Sequence, residues 1–315
     1  MLSTKKLKRR PKHFQNFTGL TVVQFDELLA TLEPAYERLE RERKLAKERK
    51  RSLGAGRKYH SAVSERLLLT LMYYRLYVSQ MLLGYLFNLD DSSVSREIQT
   101  RMLPALLEVL PVPVQQELLL SDPQEKQRAK RIGSLEELLK KHPEFEDILI
   151  DATEQEVRKP KDKLVRKQRY SGKRKKHTLK TQVLVSNRRI LHLSKHVPGS
   201  VNDLTVLRAS GVLKQLPNSP TVRVDRGYEG IDLEHPELAI QKPIRAQRNH
   251  PLTSFGKVYN QVMSSLRIEV EHVLAHTQKY RLLADIYRGR IARYDDTFLA
   301  IAGLTNFRVA NNLSW

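Results

Sequence analysis

The pattern of apolar and polar residues divides the chain into a helical part and a mixed part. Within residues 61–120, positions 67–77 are almost wholly apolar and positions 79–87 form a second short apolar segment. Ser61 and Glu65 occupy positions typical of a helix N-terminus, where hydroxyl and acidic side chains cap free backbone N–H groups. This pattern predicts a helical region over residues 61–120.

From residue 145 the periodicity changes to short apolar, β-type runs separated by turns and helical stretches. Strands are predicted at 147–152, 180–185, 190–196, 220–225 and 238–243, and helices at 202–210, 258–280 and 295–312. Strands alternating with helices and closed by a long helix predict an α/β domain with a mixed sheet.

The remaining segments are rich in charge. Residues 1–60 are expected to form a basic N-terminal arm and a charged helix, the latter a solvated helix with ion pairs one turn apart. A helical linker follows the first helical region, and Ser134 with Glu137 makes a capping box inside it. The expected domains are 1–60, 61–120, 121–145 and 146–315.

A polar turn at 88–90 separates two helical segments of the 61–120 region, and the second segment presents Ser, Arg and Gln. This order is typical of a helix-turn-helix, whose second helix reads the DNA major groove. The side chains that would reach base edges or phosphates are Ser92, Ser93, Arg96 and Gln99. A three-helix bundle without DNA contact fits the same pattern, so the pattern alone leaves both interpretations open.

Composition favours a nucleic-acid partner. The chain has 56 Lys and Arg residues against 35 Asp and Glu, a net charge of +21. A charge of this size attracts polyanions, so it favours a nucleic-acid partner over a merely structural role or plain solubility. It has no cysteine, which excludes disulfides, thiolate zinc sites and a Cys nucleophile and suits a reducing compartment. No apolar stretch reaches the roughly 20 residues of a membrane span, and the basic N-terminus lacks the apolar core of a signal peptide.

Two acids each end an apolar, β-type run: Asp151 after positions 147–150 and Asp225 after positions 222–224. A carboxylate at such a position is costly to bury unless it is paired or binds a metal. Two acids at adjacent strand ends would repel each other and require a cation between them. Structural explanations stay open, because Asp151 could cap the following turn and Asp225 could pair with a neighbouring Arg.

A third candidate acid lies in the long C-terminal helical stretch. Glu271 is one helical turn after Arg267, so the two share a helix face. Glu269 is no farther from the apolar stripe, and periodicity does not choose between the two acids. Asp203 is a rival of Asp225, but its place after a Pro-Gly-Ser sequence favours a helix start.

Several sequence motifs follow one another along the chain: Asp151-Ala152-Thr153-Glu154, positions 170–180, 198–203 and 225–230, and Arg267-x-x-x-Glu271-His272. Together, and in this order, they resemble the DDE transposases of bacterial insertion sequences, and most closely the group related to eukaryotic Harbinger elements. Residues 61–105 are also similar to the N-terminal DNA-binding segment of that family.

The resemblance implies a ribonuclease H-like fold, with Asp151 on the first strand, Asp225 on the fourth and Glu271 on the closing helix. It favours Glu271 because the family places its acid four positions after an Arg. Two positions depart from the family: Ser264 stands where a Tyr is usual, and Gln278 stands where a Lys is usual, with Lys279 next.

The chemistry implied is metal-dependent cutting and joining of DNA. Asp151, Asp225 and Glu271 would hold two Mg²⁺ ions, for which Mn²⁺ may substitute, on either side of an in-line phosphodiester displacement. Water would cut the element end, and the freed 3′-OH would attack target DNA.

Double-stranded DNA, both element ends and target, is the expected partner. The basic tract that begins at Arg158 would hold its backbone. The candidate contacts outside the helix-turn-helix are Arg158, Lys173, Lys175, Lys180, Arg267 and Lys279. The resemblance also implies a homodimer that bridges two ends on DNA, and a cytoplasmic, nucleoid-associated protein.

Two other functions compete with that of an active transposase. One is a catalytically inactive DNA-binding protein derived from such an enzyme, which the changes at Ser264 and Gln278 favour and an intact set of three acids opposes. The other is a nuclease that cuts without strand transfer.

Overall fold

The computed structural model describes residues 2–46, 61–116, 135–141, 144–217, 220–246 and 251–311. The chain forms two compact units. The helical unit comprises Met1–Val112, Thr277–Asp285 and Gly289–Trp315, and the sheet unit comprises Pro113–His276 and Ile286–Arg288. The linker capping box predicted at Ser134 lies outside the described residues.

The helices of the described residues, in chain order, are α1 Thr4–Lys8, α2 Pro11–Thr18, α3 Val22–Leu45, α4 Val63–Leu76, α5 Gln80–Phe87, α6 Asp91–Arg96, α7 Leu103–Val109, α8 Leu135–Lys141, α9 Lys163–Arg169, α10 Asp203–Ser210, α11 Ile231–Glu234, α12 Ser254–Gln278, α13 Arg281–Ala284 and α14 Tyr294–Asn311. A π-helical segment, Glu97–Met102, joins α6 to α7. The strands are β1 Val114–Gln116, β2 Asp147–Glu156, β3 Tyr170–Ser171, β4 Lys176–Ser186, β5 Arg189–Ser194, β6 Val197–Pro198, β7 Thr221–Arg223 and β8 Ala239–Gln241.

The N-terminal segment is folded rather than an extended arm. Leu7 of α1 and Phe14 of α2 are buried, and Phe14 packs edge-on against Phe25 of α3. Helix α3 begins with a reciprocal cap between Thr21 and Gln24. The apolar residues of this segment recur at helical spacing, but the dense basic residues between them obscure that pattern in the sequence.

Helices α4 to α7 form the region predicted as a helix-turn-helix. The turn between α5 and α6 is tight, since a Cβ at Gly84 would collide with the carbonyl oxygen of Leu89, and Asn88 takes the left-handed conformation that Asn tolerates. The prediction that Ser61 caps the first helix of this region was wrong. Helix α4 has Ala62 at its N-cap with no side-chain cap, and the Glu65 carboxylate instead accepts from Thr4 N of α1.

A buried carboxylate anchors the second half of this region. Glu97 accepts hydrogen bonds from Tyr36 Oη at 2.7 Å, Arg66 Nη1 at 3.0 Å and Arg101 Nη1 at 2.8 Å. Arg66 and Glu97 are both buried, so each charge has the partner that burial requires. The π-helical segment that contains Glu97 is therefore fixed against α3 and α4.

The sheet unit contains a mixed sheet in the order β1-β5-β4-β2-β7-β8, with β3 and β6 pairing with β4. Strands β2, β4 and β5 pair antiparallel, whereas β7 is parallel to β2 and β8 is parallel to β7. Apolar residues of β2 and β7 pack with those of α10 in one core, including Ile148, Ile150, Val222 and Leu207. The predicted α/β fold with a mixed sheet after an all-α region is confirmed.

The strand that carries Asp151 is longer than predicted. Strand β2 continues to Glu156, so Asp151 lies in its middle and pairs with Val183 of β4. The apolar run ends at Asp151, and the next three residues are only half-buried. Among the described residues, no helix is long and apolar enough to cross a membrane.

Candidate active site

The sheet register brings Asp151 and Asp225 to one place. Strands β2 and β7 are parallel, and Leu149 pairs with Arg223. Each aspartate lies two positions beyond one member of that pair, so the two lie side by side where β7 has ended. Asp151 Oδ1 accepts from Ala152 N at 2.8 Å, and Asp225 Oδ1 accepts from Arg226 N at 2.7 Å.

The guanidinium of Arg267 on α12 contacts both carboxylates. Its Nη1 donates to Asp225 Oδ1 at 3.0 Å, and its Nη2 lies 3.6 Å from Asp151 Oδ2. An arginine side chain therefore supplies positive charge between the two acids, where the sequence predicts a divalent metal ion. Of the two neighbouring arginines that could have paired with Asp225, Arg226 and Arg223, the latter pairs with Asp147.

Burial makes Asp151 the more perturbed of the two carboxyls. Burial raises the pKa of Asp151 above its ordinary value, and the charges of Asp225 and Asp203 raise it further. The Ala152 N–H bond and Arg267 lower the same pKa without cancelling the effect of burial. A divalent metal ion beside Asp151 would therefore meet a carboxylate whose negative charge Arg267 does not fully neutralise.

Tyr228, a residue of the 225–230 motif, lies close to these acids. Its side chain is buried, and its hydroxyl has no hydrogen-bond partner among the described residues. Burial raises the pKa of Tyr228, and the charges of Asp203, Asp151 and Asp225 act in the same direction.

The two glutamates on α12 have different surroundings. Glu269 Oε1 accepts from Arg188 N at 2.5 Å, which ties the helix to the turn between β4 and β5. Glu271 is exposed and lies one turn after Arg267. Within the described ranges, no group of three or more Asp, Glu or His side chains is close enough to hold a metal ion, so Glu271 is not gathered with the aspartate pair.

The aspartate pair nevertheless suits a divalent metal. Two carboxylates that share one cationic group offer the hard oxygen ligands that Mg²⁺ prefers. Their donor type and their convergence on Arg267 fit the implied ion, with Glu271 as the candidate for a further ligand on the adjacent helix.

Lys180, predicted to contact DNA, is instead buried in an internal ion pair. Its Nζ lies 2.7 Å from Asp203 Oδ1, donates to the Val201 carbonyl oxygen at 2.6 Å and lies 3.7 Å from Glu154 Oε1. The cause is its position on β4, a strand flanked by β2 on one side and by β6 on the other. Asp203 begins α10 after the Asn202 cap, as predicted.

The other predicted backbone contacts of the sheet unit are on the surface. Arg158, Lys173 and Lys175 are exposed, and α9, a helix not predicted from the sequence, lies between Arg158 and Lys173 along the chain. Asp162 caps α9 by accepting from Val165 N, a signal that could have identified this helix. Lys279 is also exposed but belongs to the helical unit.

The start of α6 carries a surface network of polar side chains. Asp90 caps the helix, accepting from Ser93 N and from the hydroxyls of Ser92 and Ser93, and these bonds hold its pKa well below the usual range. Arg96 Nη2 donates to both hydroxyls at 3.1 Å. Ser92 and Arg96 are exposed, whereas Gln99 is half-buried in the π-helical segment.

Comparison with known proteins gives this arrangement a family. Residues 150–306 match the DDE superfamily endonucleases, and residues 62–111 match the helix-turn-helix of DDE superfamily endonuclease. The chain is also 28% identical over 257 residues, 81% of its length and 84% of the relative's, to the probable transposase for insertion sequence element IS702 of Microchaete diplosiphon. No solved structure gave a significant match. The resemblance to DDE enzymes is therefore confirmed, whereas the assignment to the Harbinger-related group stays a prediction, and the chain belongs to the DDE superfamily endonucleases.

Proposed function

We propose that this protein is the transposase of an insertion sequence, which binds the inverted repeats at the element ends, cuts there and transfers the cut strand to target DNA. The observation that carries the proposal is the pair Asp151 and Asp225, held side by side and bridged by Arg267. A relative that aligns with most of the chain is named a probable transposase.

The aspartate pair supplies the chemical part of the proposal. Asp151, Asp225 and Glu271 would hold divalent metal, Mg²⁺ or Mn²⁺ in its place. When bound, such ions stabilise the charge that develops on the entering and leaving oxygens of an in-line phosphodiester displacement. The chain's own contribution is to hold two carboxylates at one point of a rigid sheet, with Arg267 limiting their repulsion.

The choice of Glu271 over Glu269 rests on their partners. Glu269 accepts a backbone N–H of the β4–β5 turn, a contact that fixes α12 against the sheet. Glu271 lies on the same helix one turn beyond the arginine that reaches both aspartates. A third carboxylate ligand is therefore best supplied by Glu271.

DNA recognition would fall to two surfaces. Ser92, Ser93 and Arg96 at the exposed start of α6, with Gln99 beyond them, would read the element ends. The exposed cations Arg158, Lys173 and Lys175 would hold the DNA backbone in the sheet unit, and Lys279 would do so in the helical unit. We further propose a homodimer on DNA and a cytoplasmic, nucleoid-associated location.

The decisive experiment incubates purified protein with a labelled duplex that carries the inverted repeat flanking its coding sequence, with and without Mg²⁺. We expect nicked ends and strand-transfer products in Mg²⁺ only. Asp151→Asn, Asp225→Asn and Glu271→Gln should abolish both products and retain end binding, whereas the matched control Glu269→Gln should retain both. Normal cleavage by Asp151→Asn would remove that residue from the site.

The same assay decides between the competing functions. Nicked product without joined product would identify a nuclease. End binding with no nicking, even in Mn²⁺, would identify an inactive DNA-binding protein. The latter alternative is favoured by the two departures from the family: Ser264, whose hydroxyl is bound to the Asn260 carbonyl oxygen, and Gln278.

A further inference from the structure

The first helices of the chain present cations without acids. Residues 2–20 contain six Lys and Arg and no Asp or Glu. They form α1 and α2, which precede the region that matches the family's helix-turn-helix at residues 62–111. The function of these helices is therefore not given by the family match.

These cations stand on a fixed support rather than on a free tail. Leu2 N donates to the Leu86 carbonyl oxygen in α5 at 2.9 Å. Thr4 N donates to the Glu65 carboxylate of α4 at 2.9 and 3.1 Å, which caps α1 from another helix. Leu7 lies buried on the inner side. The start of α1 is thus hydrogen-bonded to α4 and to α5, the two helices directly before α6.

One of the six cations is internally neutralised. Lys8 pairs with Asp26 of α3 and lies over the Phe25 ring, 5.3 Å from its centre. The other five are exposed and form no ion pair with any described residue: Lys5, Lys6, Arg9, Arg10 and Lys12. Five like charges within residues 5–12 repel one another in the folded protein, and a bound polyanion reduces that repulsion.

We propose that these five cations form a basic surface that binds the DNA phosphate backbone beside the segment contacted by α6. Leu86 lies at the end of α5, just before the turn into α6. The hydrogen bond from Leu2 to Leu86 therefore holds the start of α1 close in structure to the segment that leads into α6. Lysine and arginine contacts to phosphate carry no sequence information, so the surface adds affinity and register rather than specificity. The inference rests on the proposed function in that DNA is the ligand.

The test compares the salt dependence of DNA binding. In the variant Lys5→Gln/Lys6→Gln/Arg9→Gln/Arg10→Gln, the slope of log K against log salt should become less steep by about 0.9 for each cation that contacts a phosphate, up to about 3.6 for all four. Affinity should fall by the same factor for the end duplex and for an unrelated duplex of equal length, so their ratio should be retained.

The matched control removes four charges that are already paired with acids: Arg38→Gln/Lys140→Gln/Arg208→Gln/Lys242→Gln. Its slope should match the unmodified protein, and circular dichroism should show both variants folded. A slope change of less than about 0.9 in the α1 variant, or an equal change in the control, would overturn the inference.

Failure of this inference is distinguishable from failure of the proposed function. An unchanged slope with Mg²⁺-dependent end cleavage intact removes the basic surface and leaves the transposase. A reduced slope on both duplexes with no cleavage of any end supports the basic surface and removes the transposase.

Discussion

Lys180 Nζ lies 2.7 Å from Asp203 Oδ1, beneath the segment that leads from β6 into α10. The lysine is on β4, the strand that pairs with β2, and β2 carries Asp151. The charge of Asp203 in turn raises the pKa of Asp151. This ion pair therefore both fixes the start of α10 and offsets a negative charge close to the aspartate pair.

Replacing Lys180 with Met should destabilise the protein because Asp203 would lose its partner while remaining partly buried. We expect a loss near the lower end of about 3–5 kcal/mol, since Asp203 keeps some solvent exposure. Denaturant unfolding measures this loss. The exposed control Lys173→Met should stay within about 0.5 kcal/mol. A stable Lys180→Met variant with weakened DNA binding would instead support the backbone contact predicted from the sequence.

Asp151→Asn should stabilise the metal-free protein at neutral pH. Burial raises the folded-state pKa of Asp151 above its ordinary value of 3.8, so the folded state binds the proton more tightly than the unfolded state. Stability therefore falls as pH rises from 3.8 through the raised pKa, and the deficit persists above it. Unfolding in EDTA across this range should show a gap between variant and unmodified protein that closes on acidification. A gap independent of pH would contradict this origin.

Added Mg²⁺ should stabilise the folded protein through the same carboxylates. A ligand at 100 times its dissociation constant adds about 2.7 kcal/mol to stability. Thermal unfolding with increasing Mg²⁺ should show a rising Tm in the unmodified protein and in Glu269→Gln. Asp151→Asn and Asp225→Asn should show little rise. Equal shifts in all four proteins would place the ion elsewhere.

Arg96→Ala should weaken binding to the element end by about 1–3 kcal/mol if its guanidinium reads a base. The residue is exposed, and its bonds to Ser92 and Ser93 are surface bonds that DNA can replace. Affinity for an unrelated duplex at matched salt should change less. Arg38→Ala, an exposed and paired arginine of the same unit, serves as the control. An unchanged end affinity would indicate that this helix is structural.

The alternation of strands and helices was sufficient to predict the α/β class, whereas the two aspartates were singled out by the apolar runs before Asp151 and Asp225 together with the family resemblance. Their convergence depends on the pairing of Leu149 with Arg223, a contact between residues far apart along the chain. Local periodicity carries no information about such pairing. Periodicity left the choice between Glu269 and Glu271 open for the same reason. The partner of Glu269 is the backbone N–H of Arg188, a residue far away along the chain.

Charge misled the sequence analysis in two places. Lys180 lies in a basic tract and was assigned to DNA, yet its strand position buries it against Asp203. Residues 1–60 were predicted to form a basic arm and a charged helix, and their many basic residues obscured the apolar residues, such as Leu7 and Phe14, that are buried. In both cases the neighbours in space, which the sequence does not give, determine what the charge does.

In the helical unit, the exposed polar groups of α6 and the anchoring Glu97 follow one another in one short segment. Glu97, with its buried partners Tyr36 and Arg66 and the half-buried Arg101, secures the segment, whereas the hydroxyls and guanidinium at the start of α6 take no part in that anchorage. Substitutions at positions 92, 93 and 96 should therefore leave the anchorage intact. With α6 as the proposed reader of the terminal repeats, these three positions are the ones to randomise when the protein is to be retargeted without redesign of its scaffold.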